Sequence, residues 1–256
     1  MLRRPPFAKT LCQMLLVGVA AMAIGGCAMT GTGPSLSGFP GSASAQAPVN
    51  IAELTERYKR NPRDKGTIIH YATALRGVGQ SQQAVSVLEL GITHHPKDVD
   101  IAVAYAKALT ADGRFEQSLG VLDNVIRLDA PDWNALLVKG ATLDQLGRHG
   151  EARQLYSQAL ALAPGEASVA ANLGLSYAMT NELGAAELHL RQAVQMRGAN
   201  SKVRQNLALI VGLQGRFDEA RALFAAELPP DQVDSNMAYV RGLLTQQNRW
   251  DAIKKS

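Results

Sequence analysis

The amino-acid sequence predicts an all-α solenoid, an elongated stack of antiparallel helix pairs, and three observations carry that expectation. Small residues recur at one interval: Ala72, Ala106, Gly140, Gly174, Ala208 and Gly242 stand 34 residues apart. A second series keeps the same interval: Gly79, Gly113, Gly147, Asn181 and Gly215 are residue types that accept the positive φ of a tight turn between helices. Aromatic residues make up only 5% of the chain, which suits helices packed at close range and leaves no convincing strand. A fixed period of this length marks units that pack only on their neighbours, so 256 residues form one elongated body.

The chain begins with a segment of another kind. Arg3, Arg4 and Lys9 precede the apolar run Leu11–Ile24, and Ile24-Gly25-Gly26-Cys27 follows. A positive stretch, an apolar stretch too short for a permanent span and a small-residue cleavage site read as a secretory signal. Its end resembles the bacterial lipobox, which implies cleavage after residue 26 and acylation of Cys27. Cys12 leaves with residues 1–26, so no thiol remains for a disulfide or metal. Two or three acyl chains anchor stably where one does not. Ala28, in place of Asp, implies the outer membrane in lipoproteins of this kind, with the chain facing the periplasm. Residues 27–49 are rich in Gly, Ser, Ala and Pro, and those after Cys27 are uncharged. They read as a flexible tether with a reach of ~25 Å, and residues 50–256 as the solenoid.

When each unit is numbered so that the small residue is its eighth position, other positions align. Position 11 holds Leu75, Leu109, Leu143, Tyr177 and Val211. Position 20 holds Ala84, Ser118, Ala152, Ala186 and Ala220, and position 24 holds Leu88, Leu122, Tyr156, Leu190 and Phe224. Pro96 and Pro164 close their units at position 32, and Pro62 lies on the same grid one period earlier. This pattern resembles the tetratricopeptide repeat (TPR). The resemblance implies five full helix-turn-helix repeats, at about 65–98, 99–132, 133–166, 167–200 and 201–234. Positions 8 and 20 mark the closest helix approach, where a Leu would overpack. Ile51–Arg60 reads as a lone second helix. A sixth first helix is expected over Ser235–Gln247, and Arg249-Trp250-Asp251-Ala252 as the start of a second helix after it.

Three of the 26 basic side chains lie in the signal, so 23 face 22 acidic ones in the remainder. With no basic excess, electrostatic capture of nucleic acid is excluded. No catalytic constellation, phosphate loop or metal-ligand set is present: His94 and His95 are adjacent, which points them about 100° apart on a helix. The chain is therefore expected to be a binding protein without cofactor, and not an enzyme.

In TPR proteins the concave face is lined by first-helix positions 2, 5, 6, 9, 12 and 13. In the first two repeats these include Ile69, Thr73, Arg76, Asp100, Val103, Lys107 and Thr110, a mixed surface. From the third repeat the expected lining turns apolar: Leu137, Ala171, Leu175, Met179, Leu209, Leu213, Tyr239 and Leu243. Asn172 and Asn206 share position 6, where carboxamides can hydrogen-bond the backbone of a bound peptide. The expected ligand is an apolar or amphipathic segment of a protein partner.

The lipobox, the tether, and the stretches from Asn172 to Tyr177, Gln205 to Leu209 and Gly215 to Ala220 together resemble the TadD-type lipoproteins of tight-adherence (Flp) pilus systems. That resemblance implies an outer-membrane assembly factor, a pilotin that helps the secretin subunit reach the membrane and form its ring. An adaptor for another envelope machine, such as peptidoglycan hydrolases or polysaccharide export, is the alternative the sequence leaves open.

Overall fold

The computed structural model describes residues 50–127 and 130–255, with side chains described as far as residue 245. The expected signal segment, Cys27 and the expected tether lie outside the described residues. Among the described residues twelve helices follow one another: α1 (Ile51–Arg60), α2 (Lys65–Gly77), α3 (Ser81–His94), α4 (Val99–Ala111), α5 (Phe115–Asp123), α6 (Trp133–Gln145), α7 (His149–Leu162), α8 (Ala167–Met179), α9 (Leu183–Val194), α10 (Ser201–Leu213), α11 (Phe217–Ala225) and α12 (Pro230–Lys255). No strand lies among the described residues; one isolated bridge joins Glu166 and Arg197.

The first helices α2, α4, α6, α8 and α10 each begin 34 residues after the last, and a polar residue sets each start. Asp64, Asp98, Asp132 and Asn200 accept hydrogen bonds from the backbone N–H of Thr67, Ile101, Ala135 and Val203. Each bond satisfies one of the donors a helix leaves unpaired at its start. Glu166 holds the same place before α8 but makes no such bond. There the Ala167 N–H donates to the Arg197 carbonyl at 3.1 Å. These caps are a second 34-residue signature that the helix-packing pattern does not reveal.

Within each hairpin the turn falls as expected. Gly79, Gly113, Gly147 and Gly215 have φ of 79°, 78°, 73° and 82°, and Asn181 has 63°. The core is a chain of overlapping clusters. One joins repeats 1 and 2, one links α4 and α5 to α6, one joins repeats 3 and 4, and the last runs from α8 through α12. Contacts are confined to neighbouring units, as a solenoid requires. Helix α1 packs on α2 of the first repeat. Thr55 Oγ1 donates to Tyr71 Oη at 3.2 Å, and the Tyr58 and Tyr71 rings stand 5.2 Å apart.

The other end departs from expectation. A single helix of 26 residues, α12, replaces the predicted pair. Position 15, which supplies the positive-φ residue of every other hairpin, is Arg249 in the sixth unit, and the helix continues through it. Pro230 at its first position starts it ahead of the predicted Ser235.

Polar groups inside the stack are tied together. The Asp144 carboxylate, 4% exposed, accepts from Tyr156 Oη at Oδ2 and from Ser176 Oγ at Oδ1, both at 2.8 Å. His149 Nδ1 stands 2.8 Å from the same Oδ1. Burial, then the adjoining carboxylate, pushes the Tyr156 hydroxyl well up. The network joins repeats 3 and 4 and pins the ring that faces Gly140.

Position 8 now divides. A Cβ on Gly140 would stand 2.6 Å from Tyr156 Cε1, whereas one on Gly242 would meet nothing within 4 Å, because among the described residues no second helix folds back over α12. Gly140→Ala is expected to destabilise the fold by about 1–3 kcal/mol. Gly242→Ala is expected to stabilise it by up to about 1 kcal/mol through helix propensity. Urea unfolding of the two variants checks the opposite signs.

Candidate binding groove

The concave face is built by first helices standing side by side, and position 5 proves to be a packing position on it. Val103, Leu137, Ala171 and Gln205 occupy it in repeats 2 to 5 and are 3%, 8%, 4% and 5% exposed. Leu137 and Ala171 are therefore core residues and not groove lining: each joins a hydrophobic cluster with the neighbouring repeat. Leu209, at position 9, is also lost from the expected lining. It is 1% exposed and shares a cluster with Val233, Met237 and Val240 of α12. The terminal helix lies close on α10, as a Cβ on Gly212 would come within 2.9 Å of Val240 Cγ1.

Leu175, Met179, Leu213, Tyr239 and Leu243 remain half-buried. Leu213, Tyr239 and Leu243 lean on the C-terminal cluster, and burial pushes the Tyr239 hydroxyl up. The two asparagines do not form a matched ladder. Asn172 Nδ2 donates to the Ser168 carbonyl of its own helix at 2.8 Å, while Asn206 has no side-chain hydrogen bond among the described residues. Below them lie two polar groups the sequence did not single out. Gln205 Oε1 and both polar atoms of Asn236 are buried without a partner among the described residues.

The open concavity lies in the other half, on the surface expected to be mixed. A cavity of about 330 Å³ is lined by the first helices of repeats 1 to 3 and by Leu88 of α3. Ala72 and Leu88 form its floor, Ile69 and Val103 its apolar wall, and Arg76, Lys107 and Asn134 its polar side. Arg76 has no hydrogen-bond or ion-pair partner among the described residues. Burial holds its guanidinium below the usual arginine range. Lys107 Nζ donates to Asn134 Oδ1 at 3.1 Å and pairs with no carboxylate among the described residues. Burial first, then repulsion from Arg76, lowers its ammonium, with Asp132 opposing.

Asp100 also lines the cavity, and its carboxylate is engaged by Lys65. Lys65 Nζ stands 2.7 Å from both Asp98 Oδ2 and Asp100 Oδ2, which raises the lysine. Asp132 caps α6. The sequence carried the signal for this pair, two cations in successive repeats at positions 12 and 9, but only burial shows that they share one cavity. Among the described residues no group of three His, Cys, Asp or Glu side chains could hold a metal ion, and no helix is long and apolar enough to cross a membrane.

Comparison with known proteins supports the same architecture. A tetratricopeptide repeat family model matches residues 103–167 and 139–202, and a second matches 206–226. No curated protein matches the chain. Among solved structures it is similar to a thermophilic TPR protein of Thermus thermophilus, with 22% identity, a TM-score of 0.62, and 71% of this chain and 100% of that one covered. It is also similar to a tetratricopeptide repeat protein of Parabacteroides merdae, with 16% identity, a TM-score of 0.55 and coverage of 78% and 79%. A third similarity is to human IFIT1, there a dimer with PPP-AAAA, at 15% identity and a TM-score of 0.57. It covers 69% of this chain and 44% of that one. At these identities the likeness concerns the fold.

Lys107 gives a stability prediction whose sign follows from linkage. Its folded-state affinity for a proton is below that of the unfolded chain, so between the lowered value and the reference of 10.5 the unfolded state binds more protons. Stability contributed by this site therefore rises with pH across that window. Lys107→Met is expected to raise Tm at neutral pH by roughly 2–4 °C, and the gain is expected to shrink as pH approaches 10.5. Thermal melts of both chains from about pH 7 to about pH 10 check this. The chain has the all-helical solenoid fold of tetratricopeptide repeat proteins, and the model of that repeat matches it over residues 103–202.

Proposed function

We propose that this TPR solenoid is a lipid-anchored assembly factor of the outer membrane, facing the periplasm, and that it acts like a pilotin for the secretin of a tight-adherence pilus. The observation that carries the reading is the combination of a lipobox at Cys27, an uncharged tether and a concave surface of stacked first helices. The anchor and tether keep the solenoid at a membrane surface, and the groove supplies a place for a partner segment. The half-buried Leu175 and Met179 on α8 offer that segment an apolar contact. The fold supports a scaffold that acts by binding, and the secretin partner follows from the likeness to TadD-type lipoproteins.

Three experiments test the parts separately. Palmitate labelling in cells is expected to disappear in Cys27→Ala; persistent labelling would reject the anchor. Crosslinked co-purification from envelopes is expected to recover a secretin subunit with the wild-type chain and to lose it with Leu175→Asp and with Met179→Asp. Each substitution puts a carboxylate on a half-buried apolar surface, so unchanged helicity must accompany the loss. Should secretin rings assemble normally without this protein, the pilotin role fails.

A further inference from the structure

We propose that the basic surface at the start of the solenoid, carried by Arg57, Arg60 and Arg63, docks on the anionic phospholipid headgroups of the membrane that holds the chain. The inference rests on the lipid-anchored reading and adds to it which end of the stack meets the membrane. Of the 23 basic residues after the expected signal, four fall within 57–63, a stretch with no acidic residue, and the other 19 are set against 22 acidic ones. Beyond Lys65 no seven consecutive residues hold four. The positive charge of this nearly neutral chain is therefore gathered at one end.

These side chains are not spent on holding the fold. Arg57, Lys59, Arg60 and Arg63 are all exposed. Lys59 alone among them has a carboxylate, that of Glu56 at 2.8 Å. Arg60 Nε donates to the Glu56 carbonyl of its own helix at 3.3 Å, and Arg57 and Arg63 have no side-chain partner among the described residues. Arg57 and Arg60, one helical turn apart, line an open cavity of about 410 Å³ with Asn61, Asp64 and Thr67. Two further acidic groups stand close by. Asp64 accepts from the Thr67 N–H at 2.7 Å as the cap of α2, and Glu53, one turn before Arg57, forms no ion pair with it among the described residues.

The position of this surface says what covers it. Helix α1 opens at its cap Asn50, one residue after the expected tether of residues 27–49 ends. Arg57 lies about 10 Å along α1 from that point, at about 1.5 Å per residue, and the tether reaches ~25 Å from the lipid. The arginines can therefore come within the Debye length, about 8 Å at physiological salt, over which an anionic surface attracts them. No carboxylate of the tether competes, since the first acidic residue of the sequence is Glu53. The acyl chains already supply the affinity, so the arginines supply orientation: docked by α1, the stack stands away from the headgroups.

The test uses the full-length lipidated chain in vesicles, with an acceptor dye on the lipid headgroups. The donor dye is carried by Asn61→Cys or, at the far end of the stack, by Thr245→Cys. Vesicles are phosphatidylcholine alone or with about one-third phosphatidylglycerol. Energy transfer from the label at Asn61 is expected to be higher on the anionic vesicles and to fall to the neutral level in about 1 M salt. Transfer from Thr245 is expected to stay low on both. Each arginine replaced by Gln is expected to lower the ratio of docked to free solenoid about fivefold, with helicity and Tm unchanged because these side chains are exposed. Equal transfer on neutral and anionic vesicles, or no change in the Arg57→Gln, Arg60→Gln, Arg63→Gln triple variant, overturns the proposal. So does loss of transfer to inorganic phosphate or to decaglutamate at matched ionic strength, which assigns the surface to a free anion or to an acidic protein segment. Flotation with neutral vesicles in high salt reads the anchor by itself. Its absence rejects the anchored reading, and its presence with equal transfer on both vesicles rejects the docking alone.

Discussion

At Gly174 a Cβ would lie 3.0 Å from the Ala186 carbonyl oxygen and 3.0 Å from Leu190 Cγ, and at Gly140 it would press into the Tyr156 ring. In these two hairpins the helices are therefore as close as a missing side chain permits. Ala72, Ala106 and Ala208 play the same part at 0–1% exposure. Everything else in the stack is placed by this contact. The large residues at position 24 (Leu88, Leu122, Tyr156, Leu190 and Phe224) are all buried because they fill the space left around it. The turn glycines fall where the helices must reverse to keep it, and the capping residues fall where the next first helix must start to meet it.

Thr110, Ser118 and Thr142 within this packing are hydrogen-bonded to one another across repeats. Thr110 Oγ1 donates to Ser118 Oγ at 2.9 Å, and Ser118 Oγ donates to the Ala106 carbonyl. Thr142 Oγ1, 2.8 Å from Thr110 Oγ1, donates to the Val138 carbonyl. Such contacts contribute little net energy but penalise any other stacking that would leave a buried hydroxyl unmatched. The Asp144 network has the same logic one repeat later. Apolar residues of similar size can slide with modest loss, and these groups cannot.

What could be read in the sequence follows from the difference between period and depth. The period reports which residues share a helix face, and it located the repeat starts at 65, 99, 133, 167 and 201 and the positive φ of Asn181. It does not report how far a neighbour covers that face. Leu175 and Leu209 hold the same position 9, yet Leu209 alone is sealed, because α12 closes over α10. Position 5 misled for the same reason, since the adjacent first helix covers it in four of the repeats. The terminal pair failed on a local detail: a missing glycine at position 15 lets one helix run on, and no pattern of apolar residues records a missing turn.

Position 12 shows how this fold treats a charge it keeps for itself. Asp144 there is deeply buried and receives three partners, His149 and Tyr156 of α7 and Ser176 of α8. Arg76 holds the same position two repeats earlier, is also shielded from water, and receives none among the described residues. Since the architecture can supply a complete set of partners at this position, the lack of one at Arg76 does not follow from the geometry of stacking. Lys107 one repeat later deepens the cost with a second like charge. A stable stack would replace either with an apolar side chain of similar length at little expense in packing.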